Sequence, residues 1–198
     1  MPKILSPQVR ILNTAKILFY RQGYHTTGIN QILKESRTAK ASFYDHYPSK
    51  EILGKKVIRQ YSAEVQLWFR KIMNMSDTPF SFVENLARAI ETQIKSKDSI
   101  YQGCPIAIFS CQFPIDEPVF SEEFTRSIRR WETMFIHFWQ RENIRSVMRS
   151  NVDQLNLSRD LINLYEGSLM NWRISKDRSY IDRMKINYYE RIKLELKK

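Results

Sequence analysis

Between Thr27 and Lys50 the chain concentrates side chains suited to holding a polyanion: Thr27, Thr38, Lys40, Ser42, Tyr44, His46 and Lys50. Hydroxyl, ammonium and phenol groups donate hydrogen bonds to phosphate oxygens and to base edges. In a helix opened by Thr38, Phe43 and Tyr47 share one face, and Thr38, Lys40, Ala41, Ser42 and Tyr44 are left on the other. Ala41 matters by its smallness, because a large side chain there would hold the helix away from the base edges. Helices starting at Thr27 and Thr38 also bring unpaired backbone N–H groups to positive helix ends, which suits phosphate. The charge agrees: residues 1–60 carry eleven Lys and Arg against three Asp and Glu, while the remainder carries 21 against 18, within a net charge of +11.

Other chemistry finds no parts. His25, His46 and His137 are scattered without metal-ligand spacing, and neither a nucleophile elbow nor a glycine-rich loop between strand and helix occurs. No catalytic residue, cofactor or metal is expected. Cys104 and Cys111, seven apart, would sit about 10 Å apart on one helix, too far for a disulfide, and read as reduced, buried small apolar residues. The opening Met1–Gln8 lacks the apolar run of a secretion signal, and no run of 18 apolar residues occurs, so no membrane partner and a cytoplasmic protein are expected.

Short helices must position the basic side chains. Five glycines in 198 residues leave little for hairpin turns, and the apolar residues recur at three and four rather than alternating. Ser6-Pro7 starts a helix carrying Ile11, Ala15, Leu18 and Phe19 up to Gly23. Thr27 is placed to cap a second helix with Ile29, Ile32 and Leu33 inward, and Thr38 a third. Pro48-Ser49 opens a long helix to about Met73, and Thr78-Pro79 the next. After a polar connection from Lys95 to Gly103 come an apolar helix from Cys104 to Gln112 and an aromatic-rich one from Pro118 to about Glu142. Residues 143–157 read as mixed helix and loop, and Ser158 is placed to cap the penultimate helix. The whole reads as all-α with about nine helices.

Two short helices joined by a tight turn, the second polar and basic outside and anchored by Phe43 and Tyr47, form a helix-turn-helix that reads the DNA major groove. The stretch Ile11–Tyr24, then Thr27 and Ile32, then Lys40-Ala41-Ser42-Phe43-Tyr44-Asp45-His46-Tyr47-Pro48-Ser49-Lys50-Glu51, resembles the DNA-binding domain of tetracycline-repressor-type (TetR/AcrR) transcriptional regulators. The chain departs from the pattern at Arg37, where the family usually has a turn glycine, and at Ala39, often a serine cap. An Arg37 forced into the left-handed region costs roughly 1 kcal/mol.

The resemblance implies a DNA-binding domain over residues 1–48, connected through the helix 49–73, and a regulatory, ligand-binding and dimerisation domain over 49–198. It places Thr27, Tyr44 and Lys50 against the DNA backbone and Lys40 early in the recognition helix, with Ser42 and His46 as weaker matches. It further implies a ligand-responsive repressor, homodimeric through the last two helices (158–175 and 179–196), on a palindromic double-stranded operator. Gly103-Cys104-Pro105-Ile106 and Glu166-Gly167-Ser168-Leu169 resemble one subgroup, although Ala107 stands where that subgroup often has glycine. Trp68, Phe69, Phe109, Phe113, Trp131, Phe135, Tyr165 and Trp172 are candidates to line an effector pocket for an apolar or aromatic molecule. The competing reading is a DNA-bound protein whose C-terminal domain docks a protein partner and senses no small ligand.

Overall fold

A computed structural model of the chain describes residues 5–96 and 101–197. Residues 1–4 of the opening read above, and 97–100 of the polar connection, lie outside the described residues. Among the described residues there are ten helices, α1 (Pro7–Arg21), α2 (Ile29–Ser36), α3 (Lys40–His46), α4 (Lys50–Asn74), α5 (Pro79–Lys95), α6 (Pro105–Ser110), α7 (Pro118–Trp139), α8 (Glu142–Arg145), α9 (Gln154–Ser175) and α10 (Ser179–Lys193). The fold is all-α, and no described helix is long and apolar enough to cross a membrane. The helix beyond the nine expected is α8, a single turn inside the stretch read as mixed helix and loop.

The starts that pair a hydroxyl with a proline behave as local chemistry dictates. Ser6 Oγ accepts from Val9 N at 3.4 Å, and Thr78 and Ser81 cap one another reciprocally at the head of α5. Ser49 Oγ likewise accepts from Ile52 N at 3.1 Å where α4 begins. Three other caps differ from expectation. Gly28 and Ala39 occupy the cap positions of α2 and α3, one residue past Thr27 and Thr38, and neither has a side-chain oxygen to offer. At α9 the cap is Asp153, whose Oδ1 accepts from Asn156 N, while Ser158 Oγ accepts from the Trp139 indole at 3.1 Å inside the helix. Cys111 is exposed rather than buried, because α6 ends before it, while Cys104 is buried.

The chain divides into two compact units, Met1–Ala63 with Pro105–Ser127, and Glu64–Cys104 with Ile128–Lys198. Two of the divisions fall within helices, one in α4 and one in α7. In the first unit Ile11, Leu18, Phe19, Ile32, Phe43, Leu53 and Val57 form the core. Gly54 is required there by close approach: a Cβ would lie 3.0 Å from the Phe120 ring and 3.1 Å from that of Tyr24. In the second unit Phe82, Leu86, Ile90, Trp131, Phe135, Leu161, Tyr188 and Ile192 are buried, α10 packing against both α9 and α5.

The turn between α2 and α3 is closed by Arg37 in the left-handed region, φ 52° and ψ 50°. Thr38 N reaches back to Leu33 O at 3.1 Å, and Arg10 Nη2 donates to Arg37 O at 3.3 Å. Because only the backbone of residue 37 is used and its side chain is exposed, Arg37→Gly is expected to raise stability by about 1 kcal/mol. A denaturation midpoint equal to or below that of the parent protein counts against this.

Candidate nucleic-acid interface

Helix α3 is only seven residues long, too short to persist alone, so its position is set by what it buries. Phe43 is fully buried, and Tyr47 is buried with its hydroxyl donating to Gln8 O at 3.1 Å. These two anchors turn the opposite face outward: Lys40, Ala41, Tyr44, Asp45 and His46 are exposed, and Ser42 is half-buried. The Tyr44 ring leans edge-on against Phe43 at 5.2 Å, so its hydroxyl end projects from a fixed base.

The two threonines are placed differently from their expected capping role. Thr27 is fully buried and its hydroxyl donates to Gly23 O at 2.6 Å. Thr38 shares a hydrogen bond of 2.6 Å with Ser36 Oγ. Both hydroxyls are thus committed to shaping turns. Since Gly28 and Ala39 supply no side-chain cap, the first N–H groups of α2 and α3 are left to an outside acceptor.

Lys50 lies at the first position of α4 with its ammonium 4.3 Å from the centre of the Tyr24 ring, a cation–π contact, and burial lowers its pKa. Burial, then the charges of Glu51 and Glu117, push the Tyr24 phenol up to about 12, so it stays neutral and the ring face stays available.

Two positions emerged only from the fold. Gln112 reaches the α1–α2 corner, accepting from Tyr24 N through Oε1 at 2.5 Å and donating through Nε2 to Phe19 O at 3.4 Å and Ile108 O at 3.2 Å. The second is Glu166 in the other unit, whose carboxyl burial pushes up to about 7 from its ordinary 4.5, against a lowering hydrogen bond with Cys104. Its sequence signal was spacing: Glu166 stands four residues after buried Ile162 and three before buried Leu169.

The eight aromatic pocket candidates separate. Phe109 and Phe113 join Phe19, Tyr24, Tyr61 and Phe120 in the first unit, with Phe113 and Phe120 ring centres 4.7 Å apart. Trp68, Phe69, Trp131, Phe135 and Tyr165 lie ring against ring in the second, Phe69 being 5.1 Å from Tyr165 and 5.4 Å from Phe135. Trp172 stacks on Tyr101 at 5.8 Å. A cavity of about 540 Å³ in the second unit is lined instead by residues that include Trp139, Gln140, Arg145, Arg149 and Gln154, and by none of the eight.

Residues 11–55, which span all of α2 and α3, match the family described as bacterial regulatory proteins, tetR family. The chain is also similar to the HTH-type transcriptional regulator YxaF of Bacillus subtilis (strain 168), 28% identical over 174 residues and covering 86% of each. Over residues 11–55 the chain is a tetR-family regulatory sequence. It is similar as well to the HTH-type transcriptional repressor DhaR of a Mycobacterium species (strain GP1), 26% identical, covering 83% of this chain and 81% of the relative. The fold is shared with a solved TetR-family regulator from Cytophaga hutchinsonii, with a TM-score of 0.83 at 16% identity over 99% of this chain and all of the other. Like these relatives the chain is a transcriptional regulator and not an enzyme, and TetR-family regulators bind DNA operators and small-molecule effectors, usually as dimers.

Proposed function

We propose that this TetR-family protein is a ligand-responsive repressor that binds a palindromic operator as a homodimer. The observation that carries the DNA-reading part is the outward face of α3, with Lys40, Ala41 and Tyr44 exposed above the buried anchors Phe43 and Tyr47. In the proposed complex α3 lies in the major groove, Lys40 and Ser42 facing base edges and Tyr44, His46 and Lys50 facing the backbone. Thr27 and Thr38 serve it indirectly, by shaping the turns whose N–H groups meet phosphate. Exposed apolar side chains on α9 and α10, Ile174 at 73% and Ile186 at 44%, support pairing through these helices. Two α3 helices then address half-sites about 34 to 36 Å apart.

The effector reading rests on α4, which carries Lys50 at one end and Phe69 of the aromatic cluster near the other. A ligand that binds better to a tilted α4 shifts the population away from the DNA-competent arrangement by its differential affinity. The test uses an operator recovered from a random DNA pool and a salt series of gel shifts. Lys50→Ala is expected to weaken all sequences alike and flatten the salt slope by about 1, whereas Lys40→Ala changes which sequence is preferred. An unchanged slope removes Lys50 from the backbone contacts, and unchanged preference removes Lys40 from base reading.

A further inference from the structure

Of the two acids of α9, Asp160 accepts from Arg191 Nε at 2.6 Å, whereas Glu166 keeps a buried carboxylate oxygen, Oε2, without a hydrogen-bond partner among the described residues. A buried carboxylate oxygen left unpaired is costly, and such a cost persists where something outside the chain satisfies it. The neighbours cannot do so well. The Cys104 thiol bonds to the Glu166 carboxyl but is a weak donor, and the Tyr188 hydroxyl is committed to Leu161 O at 2.5 Å. Tyr165, next in the chain, is buried and its pKa is driven well above the usual value by burial, then by the charges of Tyr101, Cys104 and Glu166.

The surroundings are rich in ring faces. Tyr165 packs on Phe69 at 5.1 Å and Trp68 at 6.3 Å, and Tyr101 stacks on Trp172 at 5.8 Å. A second orphan lies on the same cluster: the Trp131 indole N–H is buried without a hydrogen-bond partner among the described residues, and its ring is 6.4 Å from that of Phe69. Faces of aromatic rings are negative and attract cations, most strongly where water is excluded. Trp172 already draws one, the Lys176 ammonium at 5.8 Å. The other cation of that turn, Arg173, is engaged with Gln102, at 3.2 Å from its carbonyl and 2.6 Å from its side-chain oxygen.

We propose that Glu166 is the recognition point for an organic cation with an aromatic body, its ammonium on the orphaned carboxylate oxygen and its rings among Tyr101, Tyr165 and Trp172. This rests on the ligand-responsive reading and assigns that ligand a chemical class. An anionic aromatic is excluded by the same carboxylate.

Three probes of matched shape test it by calorimetry on the full-length protein at pH 8: naphthylmethylamine, naphthalenemethanol and naphthoate. The expected order is the amine at least tenfold tighter than the alcohol, with naphthoate not bound. Glu166→Gln is expected to abolish the amine's tenfold advantage while alcohol binding persists, and Glu142→Gln, an exposed acid on α8, to leave it intact. Naphthoate binding as tightly as the amine, an advantage that survives Glu166→Gln, or no probe binding at all overturns the assignment. If the alcohol releases the operator in gel shifts while the amine shows no Glu166-dependent advantage, the cation assignment fails and the ligand-responsive reading stands.

Discussion

Phe43→Ala is expected to abolish operator binding and to cost about 3 to 5 kcal/mol of stability, the usual range for emptying a buried aromatic site. A domain has roughly 5 to 15 kcal/mol in total, so this is about a fifth or more of what holds it together. The cost is high because Phe43 is fully buried and sits midway along a seven-residue helix that has no independent stability. Tyr47, whose ring lies 6.0 Å from Phe43, would be left as the sole large anchor of α3. Phe43→Leu refills most of the volume and is expected to cost under about 1.5 kcal/mol and to retain binding. Denaturant unfolding and gel shifts at one fixed salt concentration read both effects. Undiminished operator binding by Phe43→Ala would show that α3 is held by something other than this ring.

The second large effect is a pH dependence that belongs to one residue. In the unfolded chain the Glu166 carboxyl ionises near 4.5, and in the folded protein near about 7, because burial disfavours the charged form. Between those values the folded state keeps a proton that the unfolded state gives up, so stability falls as pH rises through the window and levels off above it. The full difference corresponds to about 3 kcal/mol. Glu166→Gln carries no charge at any pH, so it should match the parent near pH 4 and exceed it by up to about 3 kcal/mol at pH 8. Urea midpoints measured from pH 4 to pH 8 check this, and equal slopes for the two proteins would contradict it. Keeping an acid that costs this much fits a residue retained for what it binds.

Local rules carried the reading of the sequence a long way. Hydroxyl-proline pairs at Ser6-Pro7 and Thr78-Pro79 mark helix starts because cap and ring act within one turn. Periodicity placed Phe43 and Tyr47 inward and Lys40, Ala41 and Tyr44 outward, and the missing glycine at position 37 pointed to the left-handed turn that the structure contains. The rules faltered by one residue at Thr27 and Thr38, because Gly28 and Ala39 hold the cap positions while the hydroxyls bond to Gly23 O and Ser36. They faltered entirely where packing joins distant segments. Nothing local tells that Phe109 and Phe113 pack with Phe19 and Tyr24 rather than with Trp68 and Trp131, since helical spacing specifies which face is inward and not which neighbour it meets. Glu166 sits on the buried stripe of α9 by spacing alone, yet its chemical type argues for solvent, and only three-dimensional enclosure decides between them.

The bridge made by Gln112 bears on modular engineering. The amide of Tyr24 and the carbonyl of Phe19 are bonded by a side chain 88 and 93 positions downstream, and the Phe109 ring stacks on Phe19. A chimera that transplants the first sixty residues onto a foreign sensor therefore severs those ties and bares the aromatic corner they cover. A transferable cassette has to be cut from two places in the polypeptide, the opening segment together with residues 105–127, and so cannot be exchanged by a single crossover.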